Sequence, residues 1–215
     1  MACAIERNLL ISPVMLTIPA SKDRAVRQEI SCLNWPDKFP YKPLVSFSAW
    51  HDGGTLHLSF EVSEQSVRAE EATAGNAVFR DSCVEFFIKP DAGDPHYYNF
   101  EWNAIGTLYL AWRTGRKDPE NAPAEVLSKV KAVSSLGKAP FSERKEQTSW
   151  RLDIDIPADA LWHQGLSSWS GLHASANLYK CGDSLSVPHY VTWAPIATEN
   201  PDYHRPEFFV PVDFE

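Results

Sequence analysis

Glu85, Glu101 and Asn103 are the residues whose types and spacing could do chemistry. They lie in two alternating runs, residues 83–88 and 98–103, split by the turn cluster Pro90-Asp91-Ala92-Gly93-Asp94-Pro95. Strand side chains alternate with period two. Val84, Phe86 and Ile88 therefore share one face of the first run, and Cys83, Glu85 and Phe87 share the other. In the second run Tyr98, Phe100 and Trp102 oppose Asn99, Glu101 and Asn103. If the runs pair, Glu85, Glu101 and Asn103 converge on one side of a sheet. Carboxylates accept two hydroxyl hydrogen bonds, and amides both donate and accept. The ordinary alternative is a solvated strand face, or for Glu85 an ion pair with Arg68 or Arg205. Phe79 just upstream and Trp193 far downstream add aromatic flanks, and both residue types serve equally well as core packing.

These faces need a sheet to hold them. The clearest hairpin carries Val45, Phe47 and Ala49, a tight Asp52-Gly53-Gly54 turn, and then Leu56, Leu58, Phe60 and Val62. Further strands are expected at residues 107–112, 150–156, 173–180, 187–193 and 208–214, and Val14, Leu16 and Ile18 alternate near the start. Residues 150–156 are ended by Pro157, and residues 173–180 place Asn177 on a polar face. Ser21 is a plausible N-cap for a short helix through about Ile30. Val126, Leu127, Val130 and Val133 predict a helix over residues 123–133, which Asn121 would cap, and residues 158–162 read as a shorter one. Residues 32–43, 64–74 and 194–206 read as irregular, the last carrying Arg205. Eight to eleven short strands with few helices predict an all-β protein, an antiparallel β-sandwich of immunoglobulin or jelly-roll type.

The chain of 215 residues suits one such domain. The expected division is an N-terminal extension, residues 1–40, packed on a single domain of residues 41–215, with a helical insertion at about 113–145. A net charge of -8 and the absence of a Lys/Arg run disfavour nucleic acid and anionic membranes as partners. Eight Trp leave aromatic faces available beyond the core. Cys3, Cys32, Cys83 and Cys181 form no CxxC and no metal-like cluster with histidine in the sequence. Scattered cysteines suit reduced thiols, so a cytoplasmic setting is expected, consistent with no recognisable secretory signal and no membrane-spanning stretch.

The run Asp81-Ser82-Cys83-Val84-Glu85-Phe86-Phe87-Ile88 resembles the D-S-V-E-hydrophobic signature of family 9 carbohydrate-binding modules. The resemblance continues in order through Tyr98-Asn99-Phe100-Glu101-Trp102-Asn103, the strand from Trp150 to Pro157, Asn177-Leu178-Tyr179, Trp193-Ala194-Pro195 and His204-Arg205-Pro206-Glu207-Phe208-Phe209. It implies a β-sandwich that binds a small sugar or the end of a sugar chain, in a setting of carbohydrate catabolism. By motif position it implies that Phe79 and Trp193 clasp the ring, although the family has tryptophan where Phe79 stands. It further implies hydroxyl-binding roles for Glu85, Asn103 and Asn177, with Glu101 standing where an arginine is familiar. Arg205 falls in the closing motif. Some family members bind structural calcium, for which Asp52, Asp81, Asp91 and Asp94 are candidates here. The chemistry fits: a sugar ring has apolar C–H faces for aromatic rings and a girdle of hydroxyls for carboxylates and amides. No cofactor other than structural calcium, and no nucleic-acid or membrane partner, is expected.

Two alternatives stand beside this expectation. A glycoside hydrolase or lyase would use Glu85 and Glu101 as a carboxylate pair, since residues on paired strands can approach the ~5–9 Å separation that such chemistry needs. A haem-binding relative of the same sandwich would need axial ligands, and Met15 is the only internal methionine.

Overall fold

The structure is a computed structural model that describes residues 15–215. Val14 and Cys3 lie outside the described residues. The strands, in chain order, are β1 (Leu16–Ile18), β2 (Val26–Glu29), β3 (Leu44–His51), β4 (Thr55–Glu64), β5 (Val67–Ala69), β6 (Cys83–Lys89), β7 (Tyr97–Asn103), β8 (Leu108–Arg113) and β9 (Glu120–Asn121). The helix α1 (Ala124–Lys129) follows, and then β10 (Lys131–Ser134), β11 (Phe141–Arg144), β12 (Thr148–Pro157), β13 (His173–Cys181), β14 (Tyr190–Thr192) and β15 (Val210–Phe214). The larger sheet runs β1-β15-β13-β6-β7-β8-β9, with β14 also paired to β13; the second runs β10-β12-β4-β3-β2; and β5 pairs with β11 apart from both. Every pairing is antiparallel except β1 with β15.

The two large sheets form a sandwich, as the alternating runs predict. Val84, Phe86 and Ile88 of β6, with Tyr98, Phe100 and Trp102 of β7, turn inward onto Phe47, Leu58, Phe60 and Trp150 of the second sheet. A buried ionic group also lies between the sheets. Lys180 Nζ donates to Cys181 O at 2.8 Å and to His189 Nε2 at 2.7 Å. It lies 2.8 Å from Glu64 Oε2 as a charge contact without hydrogen-bond alignment, while Trp150 Nε1 donates to Glu64 Oε1 at 2.7 Å.

The larger sheet is buried on its outer face too. Phe87, Tyr97 and Tyr179 carry a second apolar cluster with Trp35, Ile196, Tyr203 and Phe209. The proline-rich segment 33–43 and the loop 194–209 thus cover the polar face of β6 and β7 in part. That is why all seven residues of β7 are buried, where alternation alone suggests a solvated side.

Several expected elements differ. The helix expected over residues 21–30 is a 3-10 turn, Lys22–Arg24, followed by the edge strand β2. That stretch has no apolar stripe at helical spacing, and its charges suit an exposed edge, where Arg27 pairs with Glu61 at 2.7 Å. The helix expected over residues 123–133 ends at Lys129, because residues 131–134 extend to pair with β12. Asn121 does not cap it; it belongs to β9. Residues 64–74, expected as a loop, contain β5. Phe208 lies in a 3-10 turn ahead of the last strand. No helix among the described residues is long and apolar enough to cross a membrane.

Candidate functional site

The β6–β7 ladder sets Glu85 directly opposite Glu101 and Cys83 opposite Asn103. On the other side of β6, Tyr179 of β13 lies opposite Glu85, and Cys181 opposite Cys83. Across β7, Tyr109 of β8 lies opposite Glu101. Where the cover of the outer face stops, a cleft of about 600 Å³ opens. Glu85, Glu101 and Cys181, exposed by only 3%, 4% and 2%, form its floor. Phe39, Phe79, Tyr109 and Tyr190 line it with aromatic rings, and Arg113, Arg116 and Asp183 bring charge. Phe79 is the most open of these rings at 38% exposure, held on the 3-10 turn Val78–Arg80.

Burial governs the electrostatics. Glu85 is held well above the usual carboxylate range, first by its removal from water and then by the neighbouring charge of Glu101. Glu101 rises to about 7 through burial, offset in part by an Asn99 hydrogen bond and the Arg113 charge. Asn99 Nδ2 donates to Glu101 Oε1 at 2.7 Å, and Cys181 Sγ donates to Glu85 Oε1 at 3.1 Å. Arg113 Nη2 donates to the Tyr109 hydroxyl at 2.8 Å. Two buried atoms of this lining have no hydrogen-bond partner: Glu101 Oε2 and Arg113 Nε. Near neutral pH the floor therefore offers both ionised and protonated carboxyl groups. It can accept hydrogen bonds from hydroxyls and donate one to an ether or hydroxyl oxygen.

The sequence-derived residues separate into two groups. Phe79, Glu85 and Glu101 come together in the cleft. Asn103 lies beyond it: its Nδ2 donates to Asp81 Oδ2 at 2.9 Å and to Glu71 O at 2.7 Å, and its Oδ1 accepts from Thr107 N. Asn177 is fully buried and bridges to Ala194, donating to its carbonyl at 3.1 Å and accepting from its N–H at 2.9 Å. Trp193 packs on the inter-sheet core, edge-on to Phe47 with ring centroids 5.7 Å apart. Arg205 pairs with Glu207 and lies over the Phe208 ring. Arg68 pairs with Asp81 and Glu70, so neither arginine considered for Glu85 reaches it.

Of the calcium candidates, Asp52 accepts from Thr55 N, Asp91 from Gly93 N and Asp94 from His96 N, each within its own turn. Asp81 is buried and holds Arg68, Glu70, Glu71 and Asn103. Among the described residues none of the four belongs to a cluster of three potential metal ligands. Met15, the haem candidate, is 56% exposed and outside the cleft.

Sequence reasoning overlooked Tyr109 and Arg113, although alternation through β8 puts them on the face of Glu101. Phe39 and Tyr190 come from stretches with no usable period. A second groove of about 580 Å³ runs along the other sheet past Arg27, Lys42, Leu44 and Arg151. Its one aromatic residue, Trp150, is buried with its N–H committed to Glu64, so that groove presents no stacking face.

Comparisons with known proteins bear on this geometry. The profile described as "Carbohydrate-binding family 9" matches residues 15–214. The crystal structure of a candidate carbohydrate-binding protein from Bacteroides uniformis ATCC 8492 is 37% identical, with a TM-score of 0.86 over 94% of this chain and 97% of that one. A family 9 carbohydrate-binding module from Caldicellulosiruptor kristjanssonii in complex with glucose shares the fold at 9% identity, with a TM-score of 0.61 over 94% of this chain and 95% of that one. A structure of such a module from the same organism in complex with cellotriose is 8% identical, with a TM-score of 0.54 over 94% and 93% of the two chains. No curated protein matches.

Proposed function

The chain belongs to carbohydrate-binding family 9, and from that premise we propose that it binds a mono- or oligosaccharide, without cleaving it, in the cleft over Glu85 and Glu101. The observation that carries this reading is an unmatched acceptor and an unmatched donor, Glu101 Oε2 and Arg113 Nε, buried in one aromatic-lined cleft. Buried polar atoms are ordinarily paired with protein, water or ligand, and the hydroxyls of a sugar suit this acceptor and this donor. The ring's C–H face lies on Phe79, Tyr109 or Tyr190, while its hydroxyls meet Glu85, Glu101 and Arg113. A volume of about 600 Å³ holds one sugar ring with room for a second. Asn103, Asn177, Trp193 and Arg205 support the fold around the cleft in this reading. The biological setting that suits it is carbohydrate catabolism.

Calorimetric titration against a panel that includes glucose and cello-oligosaccharides tests the proposal. Binding by the wild type is expected, with Glu101→Gln weakening it at least tenfold and Tyr109→Ala about two- to tenfold while both remain folded, because a charge-assisted hydrogen bond is worth about 1.5–3 kcal/mol and a ring contact about 0.5–1.5 kcal/mol. Failure of every sugar to bind, or unchanged affinity in both variants, overturns it.

The direct cross-strand placement of Glu85 opposite Glu101 favours a second reading, glycosidic bond cleavage by the same pair. New products in mass spectra of incubated oligosaccharides would establish it, and unchanged substrates across the panel would dismiss it.

A further inference from the structure

Cys83 and Cys181 are 98 residues apart in the chain yet direct cross-strand partners on β6 and β13. Both side chains leave the sheet on the side of Glu85. The two Sγ atoms and a Glu85 carboxylate oxygen all lie within 4.8 Å of one another, the sole such group of three thiol, imidazole or carboxylate residues among the described residues. Within it, Cys181 Sγ donates to Glu85 Oε1 at 3.1 Å. Thiolates sharing a tetrahedral zinc ion lie about 3.8 Å apart, given Zn–S bonds of about 2.3 Å. A contraction of about an ångström at most separates the observed cluster from a coordinating one.

The surroundings suit a cation. Glu85 and Cys181 line the cleft, so an ion can enter and a fourth position stays open to water; Cys83 lies behind them, fully buried. Across the ladder, Glu101 contributes a buried carboxylate oxygen that has no hydrogen-bond partner. Asp183 adds a third carboxyl to the same cleft. Arg113 and Arg116 also line this cleft, where Arg113 donates to Tyr109 and Arg116 pairs with Asp202. Two thiols with one carboxyl select a soft or borderline ion such as zinc over calcium, which takes six or more hard oxygen ligands.

We propose that Cys83, Cys181 and Glu85 form a three-ligand site for a thiophilic divalent cation at the floor of the cleft. Loading releases both thiol protons, and the proton of Glu85 where its carboxyl carries one, to solvent, because the ion binds thiolates and a carboxylate. The site does not depend on a sugar occupying the cleft above it.

Cobalt titration of the full chain, reduced with a phosphine and kept anaerobic, tests this. A sulfur-to-cobalt charge-transfer band with visible tetrahedral bands is expected to saturate at one equivalent and to vanish on adding zinc. Cys181→Ser should abolish the charge-transfer band or weaken binding at least a hundredfold. Glu85→Gln should weaken it at least tenfold, and Cys32→Ser should leave it unchanged. Absence of the band in folded, reduced wild type overturns the site, and that result stands even if Cys83→Ser fails to fold. Persistence of the band in folded Cys181→Ser also overturns it. A reduced protein that ignores cobalt but forms a Cys83–Cys181 disulfide in air, seen as two missing thiols, assigns the pair to redox chemistry instead. A cobalt band without sugar binding supports the metal site while refuting the sugar reading, and sugar binding without the band does the reverse.

Discussion

Glu101 carries the clearest consequence of burial at the level of single residues. Its carboxyl titrates at about 7 in the fold, against about 4.5 when unfolded. The folded state therefore holds the proton over a window in which the unfolded state has lost it. The stability this gives is fully present below pH 4.5 and is lost as pH rises through 7. Glu85 and Asp183 shift in the same direction. His189 and His204 act oppositely: burial lowers them to about 2 and about 3, so their contribution is present above pH 6.5 and lost on acidification. A single melting curve mixes these trends, and the difference between wild type and Glu101→Gln reads out the interacting Glu85–Glu101 pair. The variant should gain on the wild type as pH rises from about 4.5 to about 8, read by chemical denaturation at each pH. A flat difference would mean that Glu101 titrates as an exposed acid. The convergence of Glu85 and Glu101 was legible in the sequence, because two alternating runs and a turn dictate it. The commitment of Asn103 to Asp81 was not, because its partners come from residues 71 and 81, which no periodicity relates to residue 103.

At the scale of elements, alternation places the central strands of both sheets. β3 with β4, β6 with β7, and β12 all fall where period two predicts. It also held the signal for Tyr109 and Arg113 on β8. It failed at edges and covers. Residues 26–29 and 131–134 become strands only because an open sheet edge offers them a ladder, a tertiary cause that overrides local propensity. Trp193 has a motif position that implies a sugar clasp; it follows β14 and packs on Phe47 between the sheets. Trp193→Ala should therefore destabilise the fold by about 2–3 kcal/mol, somewhat less than the ~3–5 of a fully buried tryptophan, since it is only half-buried. Sugar affinity should persist in the folded variant. Loss of affinity with unchanged thermal stability would return Trp193 to the site.

For the whole molecule, the sandwich was expected from strand count and turn spacing, and the structure has it. The second apolar layer was not expected. Trp35 and Phe39 come from a proline-punctuated segment, and Tyr190, Tyr203 and Phe209 from the C-terminal third, so their meeting on the outer face depends on long-range closure. That closure turns a strand face that would otherwise be solvated into a half-roofed cleft with buried acids at its base. Sugar binding there is the central claim, and a crystal soaked in the best-binding saccharide tests it most directly. The account predicts density for a sugar ring against Phe79, Tyr109 or Tyr190, with hydroxyls within hydrogen-bond distance of Glu85 and Glu101. Density instead at Trp193, or in the groove beside Leu44 and Arg151, would contradict it.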